Sequence, residues 1–277
     1  MAFVQNLQTL MVIFLFPLQC FSAVHTREIS EENSADALIQ VRDEIFSKLE
    51  RGECTPNKTL FVYDIDETVL VVDEYGQAQG IRQSNQVIQA LQARGIPTLA
   101  LTARYVVLEQ QMANIAQLDH QISCQKKNIE EWNSLSDELI RKKLENDLAD
   151  LQEKIEEELF RYHRFTLNNL RQVGIEKHPF FSSTEIFPNN WDDDFDIDLQ
   201  NASSLMNLIL HSEGIILASA QAKGVVLQNF LIIKGMEKKF KCIFYVDDQA
   251  GHVQNMNEVF AKAERPLELY SYHLPRP

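Results

Sequence analysis

The stretch Thr59-Leu-Phe-Val-Tyr-Asp-Ile-Asp-Glu-Thr (59–68) sets five β-favouring residues directly before an Asp-x-Asp pair. A short run that is apolar at successive positions is predicted to be a strand buried on both faces, which is the parallel-sheet kind. Three more runs read the same way: Thr98-Leu-Ala-Leu-Thr (98–102), Gly214-Ile-Ile-Leu-Ala-Ser (214–219) and Cys242-Ile-Phe-Tyr-Val-Asp-Asp (242–248). Helical patterns separate them. One runs from Asn85 to Arg94 and is closed by Gly95 and Pro97, the usual stop signals. The expected fold is therefore α/β, a Rossmann-like parallel sheet with helices on both faces.

Polar groups gather at the carboxyl ends of these runs. Asp64, Asp66 and Thr68 follow the first, Thr102 ends the second, Lys223 comes after the third, and Asp247-Asp248 end the fourth. In an open parallel sheet that edge is where ligands bind, so all four elements converge if the strands are parallel. Clustered carboxylates repel unless a cation compensates, and an oxygen-rich set suits Mg²⁺. A carboxylate near such a metal can attack phosphorus and form an aspartyl phosphate. A second carboxyl two residues on can protonate the leaving oxygen and later deprotonate water. A hydroxyl and an ammonium group can hold the transferring phosphoryl oxygens. Taken singly, an Asp-x-Asp pair is an ordinary turn or cap, and a lone Lys is a surface residue. The ordered set is what points to phosphoryl transfer.

These residues resemble the motifs of the haloacid dehalogenase superfamily. Asp64-Ile-Asp-Glu-Thr-Val is similar to its first motif, Leu101-Thr-Ala-Arg to its second, Lys223 to its third and Val246-Asp-Asp to its fourth. The first motif looks most like that of bacterial and acid-phosphatase-like members with Asp-x-Asp-Glu-Thr. The resemblance covers about 59–104 and 164–277. It implies Asp64 as nucleophile and Asp66 as acid/base, with Thr102 and Lys223 on the phosphoryl group. It also implies Mg²⁺ held by Asp64, the backbone carbonyl of Asp66 and Asp247, with Asp248 beside it. Few residues separate the first two motifs, so the lid that some members insert there is expected to be absent.

The stretch 105–163 breaks the α/β rhythm, with no Gly, no Pro and no strand-like run. Ile140, Leu144, Leu148, Leu151, Ile155 and Leu159 form one helical stripe, and Leu108, Met112, Ile115, Leu118 and Ile122 an earlier one. An inserted antiparallel helical hairpin or small bundle is expected, either capping the cleft or presenting a surface to a partner protein. Before the first strand, Leu38, Val41, Ile45 and Leu49 predict a helix in the charged segment Glu28–Arg51, so 24–58 is read as a helical segment packed on the core. Met11-Val-Ile-Phe-Leu-Phe-Pro-Leu (11–18), ending at Ser22 and Ala23, has the outline of a secretory signal over 1–23, although no Lys or Arg precedes it. It is too short for a stable membrane span. Export to a periplasm or beyond is expected.

If Cys20 leaves with the signal, Cys54, Cys124 and Cys242 remain; their number and wide spacing predict neither a disulfide framework nor a zinc site, and Cys242 reads as a buried thiol. Asn57 and Asn201 fit the glycosylation pattern, and Trp191-Asp-Asp-Asp-Phe-Asp-Ile-Asp (191–198) reads as a solvated acidic loop without the EF-hand Gly and Glu. His252 follows the Asp pair closely and reads either as lining the cleft or as structural. Arg104 reads as a substrate contact or as a salt-bridge partner of the insertion. The 277 residues carry a net charge of −14, which argues against nucleic acid as a partner but not against a small phosphorylated substrate or a phosphoprotein. Two functions follow: a Mg²⁺-dependent phosphatase acting on a phosphomonoester, or an exported interaction protein whose helical insertion binds a partner with little or no turnover.

Overall fold

Phe61, Tyr63, Ala100, Phe244 and Val246 fall in one buried cluster, while Leu60, Val62, Leu99, Leu101, Ile243 and Tyr245 fall in another. Neighbouring residues of a strand point to opposite faces, so the two clusters are the two sides of one sheet. Each fully buried aliphatic side chain here is worth about 1.5–3 kcal/mol relative to exposure. The computed structural model describes residues 22–29, 35–132, 138–187, 208–263 and 265–274.

The strands are β1 (Ala23–Glu28), β2 (Thr59–Tyr63), β5 (Thr98–Thr102), β6 (Thr184–Phe187), β7 (Ile209–Ser212), β8 (Ile215–Leu217), β9 (Cys242–Asp247) and β10 (Glu268–His273), with a small separate hairpin of β3 (Leu70–Val72) and β4 (Ala78–Gly80). The eight-stranded sheet runs β1-β10-β9-β2-β5-β8-β7-β6. From β1 to β8 every pairing is parallel; β8–β7 and β7–β6 are antiparallel. The architecture is a mixed α/β fold, with a mostly parallel central sheet flanked by helices in the Rossmann-like manner. Helices α1 (Ala37–Glu50) and α2 (Ser84–Ala93) cover the first face, and α5 (Lys223–Ile233) and α6 (Ala250–Phe260) the second. From β2 the chain builds outward through β5 and β8, then returns to place β9 on the other side of β2. That reversal makes the β2–β9 boundary the topological switch point, where a crevice opens at the strands' carboxyl ends.

Three expectations are corrected. The segment 24–58 is not helical throughout: the helix expected from Leu38, Val41, Ile45 and Leu49 is α1, but β1 occupies Ala23–Glu28. Residues 25–28 of β1 are exposed and polar, so only pairing with the distant β10 makes them a strand. The run 214–219 is not a lone parallel strand but the second arm of a β7–β8 hairpin turning on Glu213 and Gly214, both at positive φ. And Cys54 and Cys242 are joined in a disulfide, with Cα atoms 6.1 Å apart across 188 positions. Parallel pairing sets Thr59 beside Cys242, which brings the loop after α1 to the start of β9. Such a link contributes about 2–5 kcal/mol. Cys124 is exposed and free.

Helices α3 (Glu109–Trp132) and α4 (Glu138–Gln172) lie antiparallel: Gln111 Nε2 donates to the Glu158 carbonyl at 2.9 Å and Gln125 Nε2 to the Leu144 carbonyl at 3.2 Å. Ile115 and Ile122 of α3 and Ile155 and Leu159 of α4 are buried in the first cluster. Position 163 falls inside α4, which runs on to Gln172 and packs against β4, with Gln172 Oε1 accepting from the Ala78 amide at 3.1 Å. Among the described residues no helix is long and apolar enough to cross a membrane. Residues 1–21 of the expected signal, the acidic run 191–198 and Asn201 lie outside the described residues.

His211 on β7 is fully buried, with its ring centroid 4.6 Å from that of Phe230 and 6.1 Å from that of Phe181, and among the described residues neither ring nitrogen has a hydrogen-bond partner. Burial pushes its pKa from the ordinary 6.5 down to about 4. The folded state thus binds this proton less readily than the unfolded chain. The contribution to stability is full above the unfolded value and is lost as pH falls toward the folded one. Urea unfolding should show a loss of about 2 kcal/mol from this group between about pH 7.5 and about pH 5. His211→Leu should flatten that part of the profile, leaving the contributions of His163 and His178, which burial shifts the same way. An unchanged slope in the variant would remove His211 from the account.

Candidate active site

Four segments meet at the switch point. Asp64 leaves the end of β2 with its amide donating to the Val246 carbonyl of β9 at 3.0 Å, so the two acidic strand ends are locked side by side. The loop that follows turns tightly, Glu67 taking a positive φ of 57° while the Ile65 carbonyl accepts from the Val69 and Leu70 amides. Left-handed backbone at a non-glycine residue costs about 1–3 kcal/mol and persists only where its surroundings hold it. Here Arg82 holds it, its Nη1 donating to the Glu67 carbonyl at 2.5 Å and to the Thr68 carbonyl at 3.0 Å.

Lys223 reaches the site from the first position of α5. The loop before it carries Ser219 and Ala220 at positive φ, with their amides donating to the Arg104 and Ala103 carbonyls. Gly224 lets the start of α5 press onto α6. A Cβ there would sit 2.8 Å from the Asn255 carbonyl oxygen and 2.9 Å from the Met256 Cα. The Gly224 amide donates instead to Asn255 Oδ1 at 2.8 Å. A side chain at 224 would push the Lys223 backbone outward.

The result is a buried ion cluster. Lys223 Nζ lies 2.5 Å from Asp64 Oδ1 and 2.7 Å from Asp247 Oδ2. Thr68 Oγ1 donates to Asp64 Oδ2 at 3.2 Å and accepts from the Asp248 amide at 3.1 Å. Asp247 also accepts from Tyr245 OH and from the Gln249 amide at 2.8 Å, with His252 Nδ1 3.2 Å away. Burial raises the pKa of Asp64, with Asp247 adding to the rise and Lys223 opposing it. For Asp247 burial pulls upward too, but His252, Lys223 and Tyr245 outweigh it and the carboxyl is held low. Burial opposes charge on Lys223, yet its two carboxylates keep its pKa raised.

Ligand atoms of Asp64, Asp247 and Asp248 all lie within 4.8 Å of one another. Three buried carboxylates gather around the Lys223 ammonium, with the Arg82 guanidinium also acting on Asp248, and the remaining excess of negative charge is one that a small hard cation would offset. An all-oxygen donor set of this kind fits Mg²⁺. The Asp66 carboxylate is not part of that trio. It faces Arg104, with Nε at 2.8 Å and Nη2 at 2.5 Å, and Thr102 Oγ1 lies 3.5 Å away. Asp64 is nearly buried, whereas the side chain of Asp66 is 49% exposed, so the pair presents one inner and one outer carboxylate.

Of the residues singled out from sequence, Asp64, Lys223, Asp247 and Asp248 come together, and Thr102 and Asp66 adjoin them. Arg104 makes its ion pair with Asp66 rather than with the 105–163 insertion, and its neutral partners Thr166 and Asn169 lie on α4 beyond that stretch. Sequence reasoning gave no role to Tyr245, Arg82 or Gly224. Thr68 stood in the quoted motif, whereas nothing local marks the other three.

Residues 155–274 match a family profile described as a protein of unknown function (DUF2608). The match spans the second half of α4 through β10, which includes Lys223 and Asp247-Asp248 but not Asp64, Asp66 or Thr102. No curated protein and no solved structure matches the chain.

Proposed function

We propose that this protein is a Mg²⁺-dependent phosphatase of the haloacid dehalogenase superfamily, hydrolysing a phosphomonoester through phospho-Asp64. The observation that carries the reading is the Lys223 ammonium bridging Asp64 and Asp247 at the switch point, with Asp248 in the same cluster. Asp64, the Asp66 backbone carbonyl and Asp247 would hold Mg²⁺, with Asp248 beside it. When bound, the ion supplies positive charge against the phosphoryl oxygens.

In the first step an Asp64 carboxylate oxygen bonds to phosphorus as the bond to the leaving oxygen breaks. Protonated Asp66 delivers its proton to that oxygen and becomes a carboxylate. Lys223 and Thr102 hold phosphoryl oxygens where negative charge accumulates. In the second step Asp66 takes a proton from water, whose oxygen bonds to phosphorus. The bond to Asp64 breaks, and inorganic phosphate leaves. Asp66 is suited to both transfers because it is the outer, solvent-reached member of the pair.

The Cys54–Cys242 disulfide supports export, since such links persist in oxidising compartments. The experiment recovers the protein from the exported fraction, where an N-terminus near Val24 checks export. It then measures phosphate release from a panel of phosphate esters with and without Mg²⁺. Turnover that requires Mg²⁺ is expected. Normal Mg²⁺ binding without turnover on any ester would favour the reading in which α3 and α4 engage a partner protein.

A further inference from the structure

Arg104 is held from two sides. Toward the site, its Nε and Nη2 make a forked ion pair with Asp66 at 2.8 and 2.5 Å. Toward α4, its Nη1 donates to Thr166 Oγ1 at 3.1 Å and to Asn169 Oδ1 at 3.2 Å. Thr166 and Asn169 are 0% and 1% exposed. Its own backbone is fixed as well, the amide donating to Thr102 Oγ1 at 3.3 Å and the carbonyl accepting from the Ser219 amide at 3.0 Å. All three guanidinium nitrogens are engaged. The Arg104 side chain is 8% exposed, against 49% for Asp66.

A half-exposed carboxylate on two rotatable bonds would sample several rotamers without a partner. A planar guanidinium fork removes that freedom and sets the plane of the carboxyl group. The fork is only as fixed as what holds its far side, and here that is α4, the long helix that runs on from the 105–163 stretch into the buried core. The two hydrogen bonds to α4 therefore have a consequence at Asp66.

We propose that Arg104 is a positioning residue, holding the Asp66 carboxyl group for proton transfer, and that helix α4 sets its orientation through Thr166 and Asn169. This rests on Asp66 being the acid/base of the reaction. Both Asp66 oxygens stay on the guanidinium, and the outward side of one of them, turned away from the fork, faces the leaving oxygen or the attacking water. No proton resides on Arg104 in either step.

Leaving-group chemistry separates positioning from mere structure. An alkyl phosphate needs its leaving oxygen protonated; para-nitrophenyl phosphate does not, because nitrophenolate leaves unaided. In Arg104→Gln, kcat/KM should fall about 100-fold on an alkyl phosphate and change by less than about threefold on para-nitrophenyl phosphate. Thr166→Val and Asn169→Ala never touch Asp66. They should reproduce the selective loss at about three- to tenfold, and add little when placed in the Arg104→Gln chain. Equal losses on both substrates in all three variants would make Arg104 structural and overturn the proposal. A rise in KM alone on both substrates would place Arg104 on the phosphoryl group and overturn it too. The parent chain and Asp64→Asn run beside them. Asp64-dependent turnover in the parent with no selective loss sinks this inference alone, while absence of turnover in the parent sinks the phosphatase reading and this inference with it.

Discussion

Asp64→Asn should reduce turnover by about 10³-fold or more, since in the proposed reaction the substitution removes the oxygen nucleophile. The fold should survive. Asp64 is one of three carboxylates in a buried cluster, and its burial already raises its pKa, so its charge is costly to the folded state. An Asn of the same shape keeps an oxygen for Lys223 and removes one like charge from beside Asp247. In metal-free buffer the variant should therefore unfold at an equal or higher urea concentration than the parent, the pattern of an active site that trades stability for chemistry. The stability should reverse with Mg²⁺, because the variant has lost a ligand and gains less from the ion. Hydrolysis of para-nitrophenyl phosphate at the parent rate would show that the nucleophile is not Asp64.

Lys223→Met should be the most damaging single change to stability at the site. The Lys223 side chain is 1% exposed and touches two carboxylates that are themselves buried. Methionine fills much of the same volume but leaves Asp64 and Asp247 without their cation. Breaking a buried pair from one side costs about 3–5 kcal/mol, because the remaining charge stays unpaired. Mg²⁺ should recover part of that loss by supplying positive charge to the same carboxylates. Turnover should fall by about 10²–10³-fold and stay low in Mg²⁺, since the ion does not replace the ammonium on the phosphoryl oxygens. Urea titrations with and without Mg²⁺ and a rate measurement read all three effects. If the variant is as stable and as active as the parent, Lys223 neither neutralises the cluster nor binds phosphate.

The two variants are informative together. Both remove a charge from one ion pair, yet they are expected to move stability in opposite directions. Removing the carboxylate relieves an excess of negative charge, and removing the ammonium worsens it. A site whose charges were balanced without a metal would show losses in both.

What the sequence alone determined is the local part. Strands β2, β5 and β9 are buried on both faces, so they are continuous apolar runs in the chain, and the residues ending them are marked by the abrupt change to polar groups. That sufficed to single out Asp64, Asp66, Thr102, Lys223, Asp247 and Asp248, because a parallel sheet must collect its strands' carboxyl ends on one edge. The long stripes of α3 and α4 were legible for the same reason: helical periodicity is written in neighbouring residues.

Only the tertiary structure decided what depends on distant segments. β1 is a strand because β10 pairs with it, not because its own residues alternate. Cys54 and Cys242 are joined because β2 and β9 lie side by side, and neither count nor spacing in the chain carries that information. The edge pair β6 and β7 runs antiparallel through hydrogen bonds, which side-chain patterning does not encode. Arg104 meets Asp66 across 38 positions and Asn169 across 65. A guanidinium finds its partners by where the backbone has already been placed, and that placement is set by packing of the whole sheet and its helices. The residue types needed for the chemistry are therefore visible in the chain, while the orientation of the outer carboxylate belongs to the fold.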